Sequence, residues 1–166
     1  MAITHSLIQT ITVGVAGQAS IEFTSIPQNY TDLLFVFSCR ASISTGGIRI
    51  RVNGATTSLS TRLVYGTGTA TASGSDTTYI GTSSFSTQTA NVFGNGDLYI
   101  ANYAASTNKS FSSNTVDENN GTSAAQFMGA GLFASSTAIS SVSFFNESSG
   151  NFVQYSSASL YGIKNS

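Results

Sequence analysis

The sequence predicts an all-β protein, an antiparallel β-sandwich of the jelly-roll type. Three observations carry that expectation. Phe, Tyr, Ser and Thr are abundant and Lys and Glu are scarce, a composition that favours strands over helices. Apolar and polar residues alternate with period two along many short stretches. Clusters of Gly, Asn and Ser, which tolerate positive φ, separate those stretches. About eight to ten strands in a chain of this length fit a jelly roll, two antiparallel sheets packed face to face.

The elements follow in order. Strands are expected near residues 4–13 (THSLIQTITV), 19–25 (SIEFTSI) and 32–41 (DLLFVFSCRA). Pro27, in IPQNYTD, is the single proline and belongs in a connection, so a corner is expected there with Tyr30 packing at its edge. Next come 47–53 (GIRIRVN) and 60–65 (STRLVY). In GIRIRVN, Ile48, Ile50 and Val52 point one way and Arg49 and Arg51 the other, the pattern of a half-buried strand with a polar outer face. The segment from Gly66 to Ser75 has no bulky side chain and reads as an exposed loop. Further strands are expected near 77–81, 91–103, 109–116, 125–134, 139–146 and 151–163. STGG at 44–47, NG at 53–54, GNG at 94–96, ENNG at 118–121 and SSGN at 148–151 mark turns.

A chain of 166 residues suits one domain over 1–166, large enough to bury a core without staples. Only 8% of residues are charged and the formal net charge is −1, so a nucleic-acid partner is not expected, since binding phosphates needs many cations. Cys39 stands alone in the buried-looking run LLFVFSCR, which makes an intrachain disulfide impossible and a core role the simple reading. The start MAITHSLIQT lacks a basic segment followed by an apolar block, and LLFVF is far too short to cross a bilayer. The expectation is synthesis in a cytoplasm and no membrane insertion.

Little in the sequence could perform a reaction. His5 is the only histidine and reads as a surface residue at the start of a strand. The acids are Glu22, Asp32, Asp76, Asp97, Asp117, Glu118 and Glu147. A glycosidase needs two carboxyls held close together, and a pair such as Glu22 with Asp97 is the kind that only a fold could assemble. Asp117 and Glu118 beside two asparagines offer oxygen ligands to calcium, but no EF-hand pattern surrounds them and a solvated turn is the expectation. The glycine-rich GTGTATASG at 66–74 lacks the lysine and helix of a phosphate loop. No enzyme activity, metal or cofactor is expected. The scarcity of charge draws attention to Arg40, Arg49, Arg51 and Arg62, which cluster in sequence and form a candidate interface, because arginine is the usual cation of protein contacts.

The stretches FTSIPQNYTDLLFVFSCRAS, IRIRVNG, LYIANY and the closing SASLYGIKNS resemble a family of small virion structural proteins of tailed bacteriophages. The resemblance implies a jelly-roll or related β-sandwich module that decorates heads or forms part of a tail, with no catalytic residues. It implies a virion location after synthesis in the host cytoplasm, and partners that are the major capsid protein, other virion proteins and further copies of this chain, with a trimer as the expected homo-oligomer. A head decoration or cement protein is the first expectation, with residues 2–13 or the arginine-bearing strand as the contact. A tail fibre, receptor-binding or carbohydrate-binding module is the alternative, for which Tyr65, Tyr79, Tyr99 and Tyr103 would have to stand in for the absent Trp as sugar platforms.

Overall fold

The computed structural model describes residues 4–45, 47–121 and 124–164. Parts of three expectations lie outside these residues: the start of the 2–13 contact strand, Gly46 of the STGG turn, and the last two residues of SASLYGIKNS. Twelve antiparallel strands and no helix occur among the described residues. They are β1 (Thr4–Thr12), β2 (Ser20–Phe23), β3 (Asp32–Cys39), β4 (Ile48–Val52), β5 (Leu59–Gly66), β6 (Thr71–Asp76), β7 (Tyr79–Gly81), β8 (Gly94–Ile100), β9 (Lys109–Asp117), β10 (Ala125–Phe133), β11 (Val142–Asn146) and β12 (Ser157–Lys164).

One sheet has eight strands in the order β1-β12-β3-β8-β9-β10-β5-β6, and the other has four in the order β2-β11-β4-β7. The half-sheet β1-β12-β3-β8 set against β2-β11-β4-β7 has the strand order of a jelly roll. Two hairpin-forming pairs are inserted into that frame. β5 and β6 lie between β4 and β7 in sequence, and β9 and β10 lie between β8 and β11. All four add to the β8 side of the larger sheet and widen it beyond its partner.

Alternation explains which side of each strand enters the core. Leu33, Phe35, Phe37 and Cys39 of β3 meet Ile48, Ile50 and Val52 of β4 and Phe144 of β11 in one buried cluster. Rings from the two sheets pack at angles across the sandwich. Phe144 lies 5.4 Å from Phe35, 5.4 Å from Phe37 and 6.4 Å from Phe23, centroid to centroid. Cys39 is part of this core, and burial pushes its thiol up to about 12, which keeps it an inert hydrophobe at neutral pH. The expected corner at Pro27 is present in the β2–β3 connection. Tyr103 donates its hydroxyl to the Pro27 carbonyl, and the Tyr30 ring fills the space over Gly162.

The sequence reading of 66–75 as a loop is corrected. Only 67–70 turn, closed by a 3.0 Å bond from Thr67 N to Ala70 O, and 71–76 form the edge strand β6, paired residue for residue with β5. A ladder needs backbone groups and no bulky side chains, so a strand that buries nothing leaves no apolar signal. Twelve strands stand where about eight to ten were expected, because β5, β6, β9 and β10 are added to a frame of eight.

Beyond the jelly-roll frame the sheets come close. The three residues of β7 lie on β9 and β10, where Ser113 Oγ donates to Ile80 O at 2.7 Å and Thr82 N donates to Thr115 Oγ1 at 2.8 Å. Gly81 sits at φ +147°, and a Cβ there would lie 2.0 Å from Thr115 Oγ1, so only glycine allows the approach.

Candidate binding surface

The four arginines do not share a surface. Arg40, just past β3, is buried and gives its guanidinium to three carbonyls of the β7–β8 loop: Thr89 at 2.8 Å, Val92 at 2.9 Å and Gln88 at 3.1 Å. Asp117, also buried, secures the same loop by accepting from Ser84 Oγ at 2.7 Å and from the Gln88 amide. The polar groups of the loop are met from within the chain, with Arg40 and Asp117 as the two halves of a clamp. Asp117, which the sequence offered as a calcium ligand, acts in this clamp.

Arg49 and Arg51 point outward from β4, as the alternation predicts, on the outer face of the smaller sheet. Arg49 is engaged inside the chain. Its two terminal nitrogens grip both oxygens of Asp76 at 2.7 and 3.2 Å, and one also reaches Glu147 Oε1 at 2.8 Å and the other Thr78 Oγ1 at 3.0 Å. Burial raises the Asp76 pKa, but the Arg49 bonds and the N–H groups of Thr78, Thr77 and Tyr79 outweigh it and hold the carboxyl well below the usual range. This hub joins β4, the end of β6 and the end of β11. The Tyr79 ring lies beneath the guanidinium, 5.5 Å from centroid to charge, and continues into a row formed by Phe127 and Tyr65. The Arg51 guanidinium lies over Phe145, 3.9 Å from its ring centre, in a cation–π contact on the outer face.

Arg62 is on the far side of the molecule. It projects from β5 onto the outer face of the eight-stranded sheet. Ladder register orders that face in rows. One row across the sheet reads Leu7, Tyr161, Leu34, Tyr99, Ser112, Ala130, Arg62, Ser75. The next reads Ser159, Val36, Asp97, Asn114, Met128, Val64, Ser73. Met128 and Val64 are direct cross-strand partners and are 58% and 55% exposed, with Leu132 also open on β10. Along these two rows Arg62 and Asp97 are the only charges. An open groove of about 850 Å³ runs over this region, lined by Arg62, Val64, Ser73, Asp97, Asn114 and Met128 among others. Burial raises the Asp97 pKa, and the Asn114 hydrogen bond opposes that.

Charge is rarer outside than composition alone implies. Of the six basic residues, Arg40, Arg49 and Lys109 are occupied within the fold. Lys109 is buried and donates to the carbonyls of Ser135 at 3.1 Å and Thr137 at 2.6 Å, and burial pushes its pKa down.

The carboxylates the sequence paired in thought are far apart in space. Glu22 projects from the outer face of the smaller sheet and Asp97 from that of the larger, so the whole sandwich separates them. Among the described residues, no three of His, Cys, Asp and Glu gather as metal ligands would. His5 is exposed on β1 opposite Ile163. Of the four tyrosines named as sugar platforms, Tyr103 is fully buried and Tyr99 is tied by its hydroxyl to Asp32 at 2.7 Å. Tyr65 and Tyr79 remain half-exposed against Phe127.

No protein family, no curated protein and no solved structure matches this chain.

The apolar patch was not foreseen, although one signal for it is in the sequence. AQFMGAGLF, the β10 stretch, has large apolar residues on both alternating sets, Phe127 and Phe133 on one and Met128 and Leu132 on the other. A strand apolar on both sides is one whose second face expects a cover. The Arg49 hub left no such signal, because its partners are 27 and 98 residues away.

Proposed function

We propose that this chain is a non-enzymatic structural protein of a bacteriophage virion, a head decoration protein that lays the outer face of its eight-stranded sheet on the shell. The observation that carries the reading is that face: broad, nearly uncharged, rich in Ser, Tyr and Asn, and centred on exposed Met128 and Val64. A surface of this kind associates through area and shape, and many copies on one particle multiply a weak single contact. The reading moves the contact from the arginine strand, where Arg49 is already engaged, to β10 and β5. It also fits the likeness of the sequence to small phage virion proteins, which are made in the host cytoplasm and then built into the particle.

The test is the copy number of the chain in purified source particles, by quantitative mass spectrometry against the major shell protein. A number comparable to that of the shell protein supports decoration, and absence from particles overturns it. Met128→Glu sharpens the result. It is expected to change the monomer's stability by less than about 0.5 kcal/mol, while shell binding falls about tenfold or more.

A second reading draws on a different observation. The half-exposed Tyr65–Phe127–Tyr79 row offers ring faces of the kind on which sugars stack. A copy number far below that of the shell protein, together with a defined saccharide on a glycan array, would favour receptor binding at a tail.

A further inference from the structure

The two sheets have four edges, and three of them are blunted. β7 is three residues long, with a register shift against β4, and lies on β9 and β10. β2 is four residues long and carries exposed Glu22. β1 is longer but has a bulge between Leu7 and Gln9. Short length, charge and bulges are the devices by which proteins keep edges from pairing with strangers. β6 has no bulge and is longer than β2 and β7. Its six residues, TASGSD, pair with β5 without a shift and carry no proline or basic residue. Its one charge, Asp76, is held by Arg49.

The backbone of β6 faces outward at known positions. Thr67 N bonds to Ala70 O, which fixes the alternation of bonded pairs along the hairpin: Tyr65 with Ala72, Leu63 with Gly74, Thr61 with Asp76. The far side of β5 agrees. Ala134 N bonds to Ser58 O, so Ser60, Arg62, Val64 and Gly66 direct their groups to β10 and the residues between them direct theirs to β6. The N–H and C=O groups of Thr71, Ser73 and Ser75 therefore point away from the sheet.

The geometry points to β6 as a subunit interface that pairs antiparallel with β6 of a second copy about a two-fold axis, making one continuous sheet across the dimer. Self-pairing suits this strand in particular. Centred on Ser73, it sets Thr71 opposite Ser75 of the partner subunit and Ala72 opposite Gly74 of the partner subunit, with no like charges and no two bulky side chains opposed. The axis stands perpendicular to the sheet, so both copies present Val64 and Met128 on the same side. The inference concerns the isolated chain and stands whether or not the particle reading holds. It replaces the trimer expected from the sequence with a dimer.

The test uses the full chain in solution. Sedimentation equilibrium is expected to give twice the 17.2 kDa of one chain. Ser73→Pro removes only an outward N–H, which an edge strand tolerates toward solvent, and should return the mass to that of a monomer. Ser73→Lys sets like charges across the axis and should do the same without touching the backbone. In the unsubstituted chain, amide hydrogen exchange at Ser73 and Ser75 should be slow, although those groups have no partner strand within the monomer. A monomeric wild type, a trimer, an oligomer indifferent to both substitutions, or fast exchange at both amides would each overturn the proposal.

Discussion

The jelly-roll frame and the four-strand extension beside it, β9-β10-β5-β6, are built on different chemistry. In the frame, both sheets present large apolar residues, and Phe23, Phe35, Phe37 and Phe144 fill the space between them. In the extension the inner face sets Ser113, Thr115, Gly129 and Gly131 among the buried side chains of Leu59, Leu63, Phe111 and Phe133, and β7 covers only part of it. There, polar contacts join that burial: hydroxyls bonded to the backbone of the facing strand, and the Arg49 hub at the corner. The frame holds the fold by burial, which is non-directional and insensitive to pH. The extension leaves its outer face and its last edge free for contacts.

The comparison can be broken at its strongest point first. Phe144→Ala removes a ring that touches three others in the frame, and a loss of about 3–5 kcal/mol is expected from urea unfolding of the whole chain. A loss below about 1 kcal/mol would mean that the frame does not depend on that ring cluster. In the extension, Gly131→Ala places a Cβ 2.0 Å from the Phe111 ring. The expected cost is about 1–3 kcal/mol, because Phe111 must leave its rotamer. An unchanged midpoint would show that β10 can move away from β9.

Arg49→Met is expected to cost about 1–2 kcal/mol, held to that range because Asp76 and Glu147 are partly exposed. Its effect should be local, seen as faster amide exchange in 71–81 with the frame unchanged. The pH dependence follows from the depressed Asp76 pKa. The folded value lies below the unfolded one of about 3.9, so the stabilisation is fully present above that pH and is lost as pH falls through the folded value. Exchange in 71–81 should therefore rise only in acid below about pH 4, and that acid response should shrink in Arg49→Met, where only the N–H groups of Thr77, Thr78 and Tyr79 still favour the Asp76 carboxylate. The smallest effect is expected for Arg51→Ala, which loses the contact over Phe145 and about 0.5–1 kcal/mol. Thermal melts would resolve it, and a loss as large as that of Arg49→Met would mean that the two arginines are not the different elements described here.

Strand positions were legible because burial leaves a period. Eleven stretches read from alternation and turn residues fall on eleven of the twelve strands, with differences confined mostly to their ends. The one strand missed, β6, is the one that buries almost nothing. Arginine roles were not legible. Arg49 and Arg51 stand two apart on one strand and face the same way, yet one is locked to Asp76 and Glu147 and the other covers a ring. Arg40 follows a run of alternating buried residues and joins the interior instead of the surface.

Fold class, the inward side of Ile48, Ile50 and Val52 on β4 and the core placement of Cys39 were readable from the chain alone. These depend on periodicity and composition, which act between near neighbours in the chain. Tertiary structure alone decided that two inserted hairpin pairs widen one sheet, that Met128 meets Val64 on its outer face, and that β6 is left as an open edge. Each depends on which strands lie side by side, and a ladder hydrogen bond is the same for every residue type, so no side chain in the sequence announces its partner.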